Sequence, residues 1–168
     1  GPGGYTAAEK AAKAGLQVVL FEKEDLGGTC LNRGCMPTKA LLHSAETYSI
    51  LGKAEELGVR TYETGYDFGA MHARKDQVVE TLRQGVEKLM KSNKITVVRG
   101  QGRIEAPGVV TCGGETYEVN DIIIATGSKV FYPPIPGIDL PGVYNSKDIL
   151  EGGGHDFDSL VIIGGGVV

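Results

Sequence analysis

An α/β domain with an inserted antiparallel β meander is the fold this sequence predicts, on three observations. Short apolar strands alternate with helical stretches whose apolar residues recur at the 3.6-residue period. Four short β-type segments follow one another between Ile95 and Val119. A glycine cluster stands at each end, Gly1-Pro2-Gly3-Gly4 and Gly164-Gly165-Gly166, where a nucleotide-binding fold places its turns.

Each element has a local cause. Tyr5 to Ala14 is alanine-rich and reads as a helix stopped by Gly15. Leu16 to Phe21 is a short apolar strand that ends on Glu22. After a loop holding two cysteines, a helix is expected from about Pro37, with Leu41, Leu42, Ala45, Tyr48, Leu51 and Leu57 in helical spacing, until Gly58. A polar link spans Val59 to Gly69. The third helix, from about Ala70 to Lys91, sets Met71, Val78, Val79, Leu82, Val86, Leu89 and Met90 on one face. The β segments are Ile95–Val98, Gly102–Glu105, Val109–Cys112 and Thr116–Val119, with Gly113-Gly114 as a tight hairpin turn between the last two. Asp121–Ala125 reads as a strand buried on both faces, followed by Thr126-Gly127-Ser128 and a proline-rich bend over Pro133–Gly137. Leu160–Ile163 reads as a last strand running into the second glycine cluster.

Composition narrows the function. With 168 residues, 41% hydrophobic and 23% charged, the chain has core enough to fold. A net charge of −4 offers no basic field for nucleic acid or an anionic membrane. No apolar stretch approaches the roughly 20 residues of a membrane span. Three cysteines make a poor disulfide framework and point to a cytoplasmic chain. In such a compartment a cysteine pair is more often catalytic or metal-binding than structural, and a zinc site needs four ligands that the chain's cysteines do not supply.

The pair lies in Gly27-Gly28-Thr29-Cys30-Leu31-Asn32-Arg33-Gly34-Cys35-Met36-Pro37-Thr38-Lys39. A thiolate at a helix N-terminus is stabilised by unpaired N–H groups, and the thiolate is the attacking species in disulfide exchange. Cys30 and Cys35 therefore read as a redox dithiol, whereas Cys112, on a strand beside a turn, reads as an inert thiol. A dinucleotide-binding turn runs G-x-G-x-x-G between strand and helix, with an acid about 20 residues on. Gly1 and Gly4 fit its second and third glycines, and Glu22 fits the acid. Gly164 and Gly166 fit the first two glycines of another. Each turn lacks its remaining parts, so the sequence reads as a segment cut at both ends. In a sheet of order 3-2-1-4-5 the missing first strand is central, and the isolated segment is expected to be poorly stable.

The run Gly28 to Lys39, continued by Ala40-Leu41-Leu42-His43, resembles the active-site segment of the FAD-dependent pyridine nucleotide–disulfide oxidoreductases. Leu31-Asn32 and Ala40–His43 resemble the dihydrolipoamide dehydrogenase branch more than the glutathione or mercuric reductases. Arg33 and Met36 depart from the Val and Ile commonest there, without removing a reacting group. The likeness extends over essentially the whole chain and implies a Rossmann-like FAD-binding domain over residues 1–158, with residues 159–168 beginning an NAD-binding domain. It implies that Gly1, Gly3 and Gly4 line the FAD pyrophosphate, and that Glu22, with Lys23, holds the adenosine ribose. Gly28, Thr29 and Cys30 would continue the contact, Gly102 would lie near the adenine, and Thr126, Gly127 and Ser128 would close over the cofactor. Lys39 would approach the flavin ring, Cys35 would face it, and Cys30 would exchange with substrate. Gly164 to Val168, with Gly164 and Gly166 as its glycines, would begin the NAD site.

The implied activity is oxidation of dihydrolipoamide to lipoamide through Cys30–Cys35 and FAD, with a hydride passed to NAD. The implied partners are the lipoyl domain of a 2-oxo acid dehydrogenase or glycine cleavage complex and a second copy of the full-length protein. The family's general base is a histidine followed five residues later by glutamate; Tyr48, Gln77 and Leu160 stand in that position after His43, His72 and His155, so none fits. The alternatives are a related disulfide reductase, or a non-catalytic flavin-binding module should the chain be complete.

Overall fold

The structure, a computed structural model, describes residues 1–152 and 157–166. His155, Val167 and Val168, which entered the sequence reading, lie outside the described residues.

Helix α1 spans Pro2–Lys13, with Gly1 as its N-cap and Pro2 in the first turn, where a missing N–H costs nothing. Gly15 follows at φ +88°, a conformation that closes the helix and suits glycine. Strand β1 (Val19–Glu22) pairs in parallel with β2 (Thr96–Arg99), Val19 opposite Thr96 and Glu22 opposite Arg99. Between them come α2 (Gly28–Arg33), α3 (Cys35–Leu51), a 3-10 turn over Ala54–Leu57 and the long α4 (Phe68–Ser92). Asp67 caps α4, its carboxylate accepting from the Ala70 N–H at 2.9 Å.

The core lies where α1, α2 and α4 meet the paired strands: Ala8, Leu26, Leu31, Val79, Val86, Met90 and Ile95 form one buried cluster. Most of the expected α4 stripe packs there, whereas Leu82 is left exposed. The meander consists of β3 (Arg103–Ala106), β4 (Val109–Cys112) and β5 (Glu115–Glu118), antiparallel in that order. Gly113 and Gly114 join Cys112 to Glu115 with φ of +60° and +87°, the two positive angles of a type I′ hairpin turn. Tyr117 sets its ring edge-on to Phe21 at 5.1 Å and so docks the meander against β1.

Four sequence expectations are corrected. The cysteine segment is helical, broken only at Gly34, and α3 begins at Cys35 rather than Pro37; Pro37 falls in its first turn. That helix stops at Leu51, because Gly52 and Lys53 break the pattern before the 3-10 turn that Gly58 ends. Of the four β segments only three build the meander, since the first pairs with β1 instead. Neither Asp121–Ala125 nor Leu160–Ile163 is a strand. Ile123 and Ile124 are exposed, as are Val161, Ile162 and Ile163. A strand exists through its ladder, and among the described residues neither run has a neighbour to pair with.

One element escaped the sequence reading. Helix α5 (Ser146–Glu151) opens with a capping box: the Asn145 side chain accepts from the Lys147 and Asp148 N–H groups, and the Asp148 carboxylate accepts from the Asn145 N–H. The Asn-x-x-Asp spacing was the available signal. Buried Lys75 of α4 donates from Nζ to the Leu150 carbonyl at 2.6 Å and pairs with Asp76, tying α5 to α4.

Candidate redox and cofactor site

The dithiol is assembled at the junction of two helices. Gly27 and Gly28 enter α2 with φ of +106° and +68°. A Cβ on Gly27 would fall 2.7 Å from a Leu31 methyl, so glycine is what lets the chain turn into the helix over the buried leucine. At the other end, a Cβ on Gly34 would fall 3.0 Å from the Thr29 carbonyl oxygen and 3.4 Å from the Cys30 Cα. Gly34 thus lies against the turn that carries Cys30, and the next residue, Cys35, opens α3. The break between the helices folds the second cysteine back beside the first.

Both are free thiols, Cys30 half-buried and Cys35 exposed. A side-chain hydrogen bond with Cys35 holds the Cys30 thiol above its ordinary value; burial pushes the same way, and the Lys39 charge opposes both. Cys112, at the end of β4 before the Gly113-Gly114 turn, is buried against Gly100.

The glycine turn of α1 lies beside this junction. A Cβ on Gly28 would sit 2.2 Å from the Gly1 Cα, so the two backbones are in contact. The Gly1 nitrogen is 3.9 Å from a Glu22 carboxylate oxygen, which brings the turn, the acid and the cysteine segment to one place. Ala125 lies against the first turn of α1, its Cβ 3.8 and 3.6 Å from where side chains on Gly3 and Gly4 would begin. Thr126, Gly127 and Ser128, which follow it, are exposed. Gly102 packs on Phe21, whose ring a Cβ there would meet at 3.2 Å. Lys23, Thr29 and Lys39 are exposed, Lys39 one turn along α3 from Cys35. Gly164 and Gly166 are not brought to this cluster: among the described residues nothing lies within 4 Å of a Cβ on either.

Two residues that the sequence reading gave no chemical role also shape the site. Arg33, between the cysteines, pairs with Glu24 at 2.6 Å and with Glu151 of α5 at 3.2 Å. Its hydrogen bond and charge hold the Glu24 carboxyl below the usual range. Asn32 donates to the carbonyls of Leu26 and Gly28. His72, expected as a residue at a helix start, is buried within α4 with its ring edge-on to Phe68 at 4.7 Å and its Nδ1 unpartnered. No group of acidic, histidine and cysteine side chains among the described residues is arranged to hold a metal ion.

The family model described as pyridine nucleotide-disulphide oxidoreductase matches residues 1–168. The chain is 43% identical over 173 residues to a dihydrolipoyl dehydrogenase of Acholeplasma laidlawii, covering 100% of this chain and 51% of that protein. It is 41% identical over 183 residues to the dihydrolipoyl dehydrogenase of Bacillus subtilis, covering 100% of this chain and 38% of that protein. Among solved structures it is similar to the HOCl-induced flavoprotein disulfide reductase RclA from Escherichia coli, with TM-score 0.73 and 34% identity over 90% of this chain and 32% of that one. The chain thus spans about half, or less, of the length of the proteins it matches.

Proposed function

The chain belongs to the pyridine nucleotide-disulphide oxidoreductase family, and from that premise we propose that it carries the dithiol and the FAD-binding portion of an enzyme that oxidises dihydrolipoamide to lipoamide, with NAD as final acceptor. The observation that carries this reading is the break at Gly34, which lies against the Thr29–Cys30 turn and sets Cys35 at the start of α3, beside the contact between Gly1 and Gly28.

In the oxidised enzyme the two sulfurs form a disulfide. One substrate thiolate attacks the Cys30 sulfur, and Cys35 leaves as a thiolate. The second substrate thiol then displaces Cys30, so that lipoamide departs oxidised and the protein keeps two thiols. Two electrons have moved from substrate to protein, and two substrate S–H protons are released or retained. Bound FAD supplies the two-electron acceptor that returns the pair to its disulfide. Lys39, a turn beyond Cys35, brings a positive charge toward the anion that forms on this side.

The cofactor contacts are part of the same reading. Glycine at positions 3 and 4 is not demanded by the neighbours within the chain, where a Cβ finds only ordinary contact. Close approach of a pyrophosphate is the demand that explains it. Gly1, Gly3, Gly4, Glu22, Lys23, Gly28, Thr29, Cys30, Lys39, Gly102, Thr126, Gly127 and Ser128 serve FAD on this reading. Gly164 and Gly166 open the NAD site, with residues 1–158 as the FAD domain and 159–168 as the start of the next. The full-length protein works as a cytoplasmic homodimer on the lipoyl domain of a 2-oxo acid dehydrogenase or glycine cleavage complex. No helix among the described residues is long and apolar enough to cross a membrane.

The test is NADH formation by the full-length flavoprotein supplied with dihydrolipoamide and NAD. Turnover that Cys30→Ser abolishes supports the proposal. Flavin retention without dihydrolipoamide oxidation, together with reduction of another disulfide or oxidant, overturns the substrate. The likeness to RclA favours that second reading, a disulfide reductase of other specificity.

A further inference from the structure

The structure assigns to Arg83, on α4, a positioning role for Cys30, exercised through the side-chain amide of Asn32 and resting on the dithiol reading above. Helix α2 has six residues, far too few to be stable alone, so its attitude is decided by what grips it. Its grip is Asn32. The Asn32 Nδ2 donates to the carbonyl of Leu26, ahead of the helix, and to that of Gly28, in its first turn, both at 3.0 Å. Leu26 belongs to the buried core. One amide therefore staples the turn that carries Cys30 to the body of the domain.

An asparagine amide has two ends of nearly equal shape, and only the nitrogen end can donate to carbonyls. Turned over, Oδ1 would face two carbonyl oxygens and repel both. The same choice is enforced from α4: the Arg83 Nε donates to Asn32 Oδ1 at 3.1 Å, which holds the amide with its nitrogen toward Leu26 and Gly28. Arg83 is itself held, its guanidinium pairing with Glu80 at 3.1 Å and with Asp25 at 3.4 Å. The line runs from these carboxylates through Arg83 and Asn32 to the backbone that presents Cys30 to Cys35. Arg83 touches neither sulfur; it acts through Asn32.

Two substitutions separate this role from charge and bulk. A glutamine carries its Nε2 at the same place along the side chain as the arginine Nε, so Arg83→Gln keeps the donor and loses the charge. Arg83→Met puts a methyl there and loses both. The readout is the pH profile of alkylation of the dithiothreitol-reduced, full-length flavoprotein. Tryptic cleavage after Lys23, Arg33 and Lys39 leaves Cys30 and Cys35 on separate peptides for mass spectrometry. A released Cys30 loses the Cys35 hydrogen bond that holds its thiol protonated. A lowered pKa raises the thiolate fraction at neutral pH by more than it lowers intrinsic nucleophilicity, so the net rate rises.

The expected result is a Cys30 alkylation profile that moves to lower pH, with a faster rate at pH 7, in Arg83→Met, and the wild-type profile in Arg83→Gln. A wild-type profile in Arg83→Met overturns the inference. So does an equal shift in both variants, which would make the effect one of charge. Should Arg83→Met fail to retain flavin, Asn32→Leu is read instead: a raised rate supports the inference, and a wild-type rate overturns it. The profile needs no turnover, so its failure is distinguishable from failure of the dihydrolipoamide reading.

Discussion

Gly1 and Gly28 meet backbone to backbone: a Cβ added to Gly28 would lie 2.2 Å from the Gly1 Cα and 2.9 Å from its nitrogen. The glycine turn of α1 and the first residue of the cysteine helix are therefore one structural unit, although 27 positions separate them. Nothing larger than hydrogen fits between them.

Gly28→Ala is thus expected to destabilise by about 1–3 kcal/mol, through the clash and through its φ of +68°. The thermal melt of the full-length protein against wild type measures it. An unchanged midpoint would mean that the two backbones can part without loss.

Cys35→Ala removes the hydrogen bond that is the largest cause of the raised Cys30 thiol. Cys30 alkylation should then begin at lower pH, because less of the thiol is held protonated. Burial still opposes the shift and Lys39 still aids it. A Cys30 profile unmoved by Cys35→Ala would count against the contact between the two sulfurs.

Burial, and then the Lys75 charge, hold the His72 imidazole below its ordinary value of 6.5, with Asp76 opposing. As pH falls through that value the unfolded chain takes up a proton that the folded chain refuses, and stability drops. The contribution is complete above the unfolded pKa and is lost as pH falls toward the folded one. His72→Leu should flatten this acid-side slope and cost less than about 1.5 kcal/mol at neutral pH, since it removes an unpartnered buried nitrogen and nearly keeps volume. Urea unfolding at several pH values measures both.

Met90, 1% exposed, closes the core at the end of α4. Met90→Ala is expected to cost about 2–5 kcal/mol, the lost transfer energy plus a cavity that the surrounding helix and strands cannot collapse. The midpoint of chemical unfolding, with the slope unchanged, measures it.

Much of this was legible in the residues. The α4 stripe from Met71 to Met90 implied its buried face, because helical period places residues three and four apart on one side. Gly113-Gly114 implied the hairpin, because only a residue without a Cβ takes both angles freely. The cysteine spacing implied a dithiol, and Glu22 implied an acid near the glycine turn. Each of these is a relation within a few residues or a known motif. The capping box of α5, Asn145 with Asp148, is equally local.

The sequence by itself determined the first helix, the buried face of α4, the hairpin and the presence of two closely spaced cysteines, since backbone preference, period and side-chain type are set residue by residue. Only the tertiary structure decided that Ile95–Val98 feeds a parallel pair with β1 rather than the meander, and that the apolar runs at 121–125 and 160–163 stand without a ladder. It alone set Arg83 on Asn32, and Arg33 on Glu151, across 51 and 118 positions of chain. A hydrogen bond or a strand needs a partner at the right distance, and that partner is chosen by how the whole chain packs.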